Sequence, residues 1–224
     1  MTDKNLIKKY NVAGPRYTSY PTVPYWDNTT FSIDAWKRTL SDNRVSIYIH
    51  LPYCESLCTF CACHKRITKN HAVENPYISA VLKEWELYVA LLPQPILIEE
   101  IHLGGGTPSF FAPVQLQRLI EGILKGVQLA DNYQFSWEGH PNNTTYQHLE
   151  TLYNLGFKRV SFGVQDYDPV VQKAIHRVQP FENVARVTQW AREIGYTSIS
   201  HDLVFGLPFQ QVSSVKDTIE KTIS

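Results

Sequence analysis

From residue 46 onward the chain alternates short apolar runs with stripes of helical spacing. The runs at 46–51, 99–103, 133–137, 159–164 and 197–205 are rich in β-branched or aromatic residues. Each is followed by turn or loop residues, so five strands are predicted. Between them, Ile78, Val81, Leu82, Trp85, Val89 and Leu92 follow the start signal Asn75-Pro76 at helical spacing. Further helices are predicted over 114–127, over 145–155 with Gly156 as stop, and over 181–194 with Gly195 as stop. Asp168-Pro169 caps a short helix, and residues 213–224 open as another. Connections this long exclude hairpins, whereas a strand, a crossover helix and a parallel strand fit about 30 residues per unit. The pattern therefore predicts a parallel βα array, either open or curled into a barrel.

Residues 1–45 differ. They are rich in Tyr, Pro and Thr, notably in Pro15-Arg16-Tyr17-Thr18-Ser19-Tyr20-Pro21, which suits an extended arm packed on a core. Only 31–40 looks helical there. The expected organisation is an arm over 1–45 and a barrel over 46–224. With no sixth strand behind the last helix, the barrel is expected to be truncated.

Composition narrows the partners. The 224 residues are 43% apolar, ordinary for one α/β domain, and 21 basic residues offset 21 acidic ones without a run of like charge. Nothing suggests a nucleic-acid tract or a polybasic anchor, so a small-molecule partner is expected. The start of the chain lacks an apolar signal region, and no stretch approaches the roughly 20 apolar residues of a membrane span. A cytoplasmic location is expected.

In parallel arrays the ligand sits at the C-terminal ends of the strands. That rule selects the loop after the first strand, then Gly104-Gly105-Gly106-Thr107, Glu138, Gln165 and Asp202. The first loop holds all four cysteines, with Cys54, Cys58 and Cys61 at CxxxCxxC spacing and Cys63 two residues on. Thiolates are the ligands that iron–sulfur clusters require. Three of them leave one iron of a cubane open. A structural zinc site usually joins two separated pairs, which one ten-residue loop fits poorly. Zinc binding and a redox switch remain as alternatives.

The motif CxxxCxFC following Tyr48-Ile49-His50-Leu51-Pro52-Tyr53 resembles the signature of the radical S-adenosylmethionine (SAM) superfamily. Its surroundings narrow the likeness: Arg16-Tyr17-Thr18-Ser19-Tyr20-Pro21-Thr22, Cys63, Gly104-Gly105-Gly106-Thr107-Pro108, Gly163-Val164-Gln165-Asp166 and Asp202-Leu203-Val204-Phe205-Gly206-Leu207-Pro208. Together they look like the oxygen-independent coproporphyrinogen III oxidase family over nearly the whole chain. The resemblance implies a partial (βα)6 TIM-like barrel, of which about five units are present and the last strand and C-terminal region are missing. It also implies oxidative decarboxylation of two propionates of coproporphyrinogen III to vinyl groups, giving protoporphyrinogen IX in anaerobic haem biosynthesis. A 5′-deoxyadenosyl radical takes a hydrogen from the propionate β-carbon, and loss of CO2 and one electron leaves the vinyl.

By the same resemblance Cys54, Cys58 and Cys61 hold a [4Fe-4S] cluster, and two SAM molecules are bound. Tyr48, Gly105 and Glu138 match positions for the SAM on the cluster; Phe60, Gly106, Thr107, Gln165, Arg177 and Asp202 match those for the second. The implied partners are coproporphyrinogen III and an electron-donor protein such as a flavodoxin or ferredoxin, with a monomeric chain. The side chains suit these tasks, since a glycine turn admits close approach, carboxylates accept from ammonium or ribose groups, and arginine forks onto a carboxylate. Taken singly, each has a plainer explanation: a tight turn for the glycines, surface charge for Glu138 and Arg177, a satisfied strand-end amide for Gln165. Arg177 is the exception to the strand-end rule, because it lies beyond the helix capped by Asp168. Cys63 is not expected to be a ligand but separates the decarboxylases from haem-chaperone relatives. His140 stands where relatives often carry an acidic residue; contact with the porphyrinogen is one reading of it, and a structural role is the one expected. A haem chaperone and a haem-modifying radical SAM relative remain as alternatives.

Overall fold

The structure, a computed structural model, describes residues 4–11, 25, 32–39 and 42–223. The chain divides into two compact units, Met1–Ser41 and Asp42–Ser224. In the first, α1 (Lys4–Tyr10) and α2 (Ile33–Thr39) are helices. The expectation that only 31–40 is helical therefore missed α1, a single short stretch of helix-favouring Lys and Leu with Lys8 and Lys9 against the C-terminal dipole. In α2 the Ser32 Oγ accepts from the Ala35 N–H at 3.0 Å, a side-chain cap. Most of the expected arm, including Arg16 to Thr22, lies outside the described residues.

The second unit is built on one parallel sheet of five strands: β1 (Arg44–Leu51), β4 (Leu97–Gly105), β5 (Gln128–Gly139), β6 (Phe157–Gln165) and β7 (Ser198–Leu203). Their order in the sheet is their order in the chain. A doubly wound sheet reverses direction at a switch point, whereas a strand order that always advances curls toward a barrel. The five units thus form a partial TIM-like barrel, settling the open-or-curled alternative. The crossovers are α3 (Glu74–Val89), α4 (Pro113–Leu124), α5 (Tyr146–Asn154), α6 (Pro169–Ala174) with α7 (Phe181–Ile194), and α8 (Val212–Ile223) follows β7.

α4 shows how a crossover helix buries an apolar stripe: Leu116, Leu119, Ile120 and Ile123 recur at the 3–4 residue period and are buried. The strands bury residues of their own, such as Ile98, Ile101 and Leu103 of β4 and Trp137 of β5, each at 0% exposure. Side chains of this size contribute about 1.5–3 kcal/mol each when fully buried. Trp137 also satisfies its one donor, the Nε1–H, on the Tyr196 hydroxyl at 3.2 Å.

Two local features fix the upper rim. β2 (Tyr53–Cys54) and β3 (Arg66–Ile67) form a two-residue parallel ladder that closes the cysteine loop at its base, with the Arg66 N–H on the Pro52 carbonyl at 2.8 Å. The second is Asp166, fully buried just beyond β6. Its carboxylate accepts from the Asp168 N–H at 2.7 Å, Gln210 Nε2 at 2.6 Å and Thr218 Oγ1 at 3.2 Å, tying β6 to α8. Asp166→Ala leaves those donors unpaired in the interior and is expected to cost about 3 kcal/mol, read as a lowered urea midpoint. No helix among the described residues is long and apolar enough to cross a membrane.

Candidate active site

The C-terminal ends of the strands surround a cavity of about 300 Å³. Cys54, Cys58 and Cys61 border it, as do Phe60, Gly105, Gly106, Thr107, Glu138, Gln165, Arg177 and Asp202. The cysteine loop reaches over the sheet because it is held at several points. Its base is the β2–β3 ladder, the Thr59 N–H donates to the Ile175 carbonyl at 3.1 Å, and Phe60 packs on Val171, Ile175 and Leu207. A second tie is Lys65, whose Nζ donates to the Cys61 carbonyl at 2.9 Å.

The glycine turn after β4 meets that loop closely. Gly105 has φ +116°, a conformation costly for a side-chain-bearing residue. At Gly106 the N–H donates to the Leu51 carbonyl at 2.9 Å, and a Cβ would stand 2.6 Å from the Pro52 oxygen and 3.0 Å from Cys54 Sγ. Thr107 Oγ1 lies 3.2 Å from the same sulfur. Burial pushes the Cys54 thiol up, with the Thr107 contact opposing it in part. Ligation therefore has to release a proton.

Tyr48 is the predicted site residue that does not border the cavity. It is 57% exposed on β1. Its ring stacks on His102 at 5.8 Å and 17°, and its hydroxyl is 3.1 Å from His50 Nδ1. Burial, then the charges of Glu138 and Cys63, push its phenol up. Tyr48 is thus a neighbour of the site, with Gly104 wedged between it and the Glu138 carboxyl. His102 holds that carboxylate, Nε2 to Oε1 at 3.3 Å, and is itself held by Ser136 at 2.8 Å.

Arg177 arrives by a route the strand-end rule does not describe. His176 has φ +53°, and this left-handed turn after α6 sends the chain back over β6. There Arg177 Nη2 donates to the Gly163 carbonyl at 2.6 Å and Nη1 approaches Cys58 Sγ at 3.8 Å. Its Nε is buried without a partner. Gln165 sits at φ +69° at the end of β6, a second strained backbone at the rim. Lys65, His140 and Asn142 also border the cavity and were not among the predicted site residues. A chain pattern carries no mark for Lys65 and Asn142, which reach the site through loop conformation, whereas His140 directly follows the end of β5, where the strand-end rule applies.

The donor set fits an iron–sulfur cluster. Three thiols on one loop face one cavity, with the Arg177 guanidinium and Lys65 ammonium nearby to offset thiolate charge. Among the described residues no three His, Cys, Asp or Glu side chains close on a single point, as one tetrahedral ion requires. The corners of a cubane are separate iron atoms and need no such closure. Cys63 borders the cavity as well, and burial and then the adjacent Cys61 push its thiol up.

The model of the radical SAM superfamily matches residues 48–222, from within β1 to the last turn of α8. The chain belongs to the radical SAM superfamily. A [4Fe-4S] cluster and SAM are the cofactors this membership implies. The oxygen-independent coproporphyrinogen III oxidase of Pseudomonas aeruginosa is 37% identical over 229 residues, covering 99% of this chain and 50% of that one. The enzyme of the same name from Helicobacter pylori is 39% identical over 226 residues, covering 97% and 49%. Among solved structures, coproporphyrinogen III oxidase (HemN) from Escherichia coli, a radical SAM enzyme, superposes with a TM-score of 0.87 at 31% identity, covering 97% of this radical SAM chain and 49% of that one. The chain spans about half the length of the curated relatives it matches.

Proposed function

We propose that this protein carries out the radical oxidative decarboxylation of coproporphyrinogen III propionates to vinyl groups, yielding protoporphyrinogen IX. What supports the reading is one cavity that gathers the cysteine loop and the strand-end residues, in a chain 37% identical to an enzyme of that name. In this reading Cys54, Cys58 and Cys61 hold the cluster, and Gly106 leaves room for it beside Cys54. When bound, the cluster and SAM supply one-electron chemistry, the reductive cleavage of a sulfonium to methionine and a 5′-deoxyadenosyl radical. Glu138, oriented by His102, accepts from the SAM ammonium, and Gly105 lets the backbone approach it. Tyr48 flanks Glu138 at the mouth.

A second SAM molecule is assigned to the same cavity, where Phe60, Gly106, Thr107, Gln165, Arg177 and Asp202 would hold it. Arg177 can present two N–H groups to a carboxylate, and Asp202 can accept from ribose hydroxyls. The resemblance also supports a monomer in the cytoplasm, supplied with electrons by a flavodoxin or ferredoxin.

The test is an anaerobic assay of the reconstituted protein with SAM, a reductant and coproporphyrinogen III. Protoporphyrinogen IX and 5′-deoxyadenosine are expected. SAM cleavage with an intact cluster but without a vinyl product refutes the assignment, and stoichiometric haem transfer in its place identifies a chaperone.

A further inference from the structure

His140 lies at the end of β5, directly after Glu138 and Gly139, and borders the cavity beside Arg177. Its backbone is fully engaged. The N–H donates to Ser109 Oγ at 3.1 Å, and the carbonyl accepts from the Asn143 N–H at 2.9 Å, the Thr144 N–H at 2.9 Å and Thr144 Oγ1 at 3.0 Å. The ring is fixed too, because Nδ1 accepts the Asn142 N–H at 3.2 Å. An imidazole whose Nδ1 accepts carries its proton on Nε2 when neutral. Burial, and then the Arg177 charge, push its pKa down to about 3, so the neutral form prevails at ordinary pH. The hydrogen bond that the ring makes to a described residue runs through Nδ1, which leaves Nε2–H as the donor for a ligand.

The neighbouring loop is built as one wall with Arg177. Asn142 Nδ2 donates to the Val178 carbonyl at 2.9 Å, and Asn183 Nδ2 donates to Asn142 Oδ1 at 2.9 Å. The same Asn142 that sets the tautomer of His140 thus pins the segment carrying Arg177. A neutral N–H donor fixed beside a guanidinium complements an anion with two acceptor oxygens.

From this juxtaposition we propose that His140 is a ligand-binding residue which, through Nε2–H and together with Arg177, reads a carboxylate in the cavity. The proposal rests on the cofactor and substrate reading above, which supplies two carboxylate sources, the methionyl group of SAM and a porphyrinogen propionate. It goes beyond a simple structural role for His140.

Two variants separate the ring's two nitrogens. His140→Asn places an acceptor near the Nδ1 position and keeps the Asn142 contact, but removes the donor. His140→Gln places an amide N–H near Nε2. Binding to anaerobically reconstituted protein is measured by calorimetry for SAM against decarboxylated SAM, and by fluorescence for coproporphyrin III against its tetramethyl ester. In His140→Asn, affinity for at least one carboxylate ligand is expected to fall about 10-fold, with no such fall for its carboxylate-free partner. His140→Gln is expected to stay within about 3-fold of the unmodified protein. The ligand that loses affinity identifies the source: SAM for the methionyl carboxylate, coproporphyrin III for a propionate.

Equal effects of the two variants, equal losses for carboxylate and carboxylate-free ligands, or unchanged binding in His140→Asn overturn the proposal. In the unmodified protein, ¹⁵N spectra are expected to show Nε2 protonated and Nδ1 bare at neutral pH; the opposite tautomer also overturns it. The two readings fail separately. Carboxylate discrimination through His140 without protoporphyrinogen IX formation defeats the decarboxylase assignment alone, and turnover with unchanged binding in His140→Asn defeats this inference alone.

Discussion

Cys54→Ser, Cys58→Ser and Cys61→Ser are each expected to bring bound iron after anaerobic reconstitution from about four atoms per chain to below about one. The three thiols border one cavity from a single loop, so losing any one leaves two points of attachment for a cubane. Serine does not replace them, because its oxygen is hard and its hydroxyl stays protonated where a thiol would ionise. The described loop offers no other soft donor in reserve except Cys63, which borders the same cavity and whose thiol is pushed up by burial and the adjacent Cys61. Cys63→Ser is therefore expected to keep the full iron content and its SAM-dependent EPR change. Iron and acid-labile sulfide measurements with visible absorption read the result. Full iron in any of the first three variants, or an iron-free Cys63→Ser, would remove the assignment of ligands.

How far this site could be read from residues alone depends on what brings each group there. Where a strand end does the positioning, the hydrophobic pattern was enough. Glu138 and Gln165 follow runs whose buried members, such as Trp137, Val164 and Phe162, are legible as apolar, and Asp202 follows the half-buried Ser198, Ile199 and His201 of β7. Strand limits were less legible. β5 begins at Gln128, five residues before its apolar run, because the exposed Gln128 and Leu129 still pair with Leu97 and Ile98 of β4 before the register shifts to Gln134.

Loop conformation left weaker traces. Arg177 follows from the family resemblance and not from the strand-end rule, since nothing in His176 announces φ +53°. The β2–β3 ladder spans two residues on each side and has no periodicity to detect. At the start of α3 the signal is displaced: Asn70 caps the 3-10 turn His71–Val73 that precedes the helix, its side chain accepting from the Ala72 N–H, while the cap position of α3 itself is Val73, without a side-chain cap, and Asn75 already lies within the helix. His140 shows the same limit from the other side. Its identity suggested a structural part, while its fixed tautomer beside Arg177 became visible only with the Asn142 contact.

Gly106→Ala is expected to destabilise the protein by about 3 kcal/mol and to lower iron retention with it. The new Cβ would stand 2.6 Å from the Pro52 oxygen, 2.7 Å from its carbonyl carbon and 3.0 Å from Cys54 Sγ. Two of those atoms are backbone and cannot rotate away. The Pro52 oxygen already accepts the Arg66 N–H at 2.8 Å, and Gly106 is held to Leu51 by its own N–H at 2.9 Å, so both sides of the clash are anchored. Relief then has to come from moving the β2–β3 base of the cysteine loop, which displaces Cys54 from its place beside Thr107. A control separates this from the general cost of adding a side chain to glycine. Gly126 has φ +77° but open space where its Cβ would be, so Gly126→Ala carries only the conformational cost, about 1 kcal/mol, and leaves iron content unchanged. Urea unfolding and iron analysis on the two variants decide it. If Gly106→Ala keeps its stability to within the Gly126→Ala value and retains full iron, the close approach of the glycine turn to the cysteine loop is not what holds Cys54 in place.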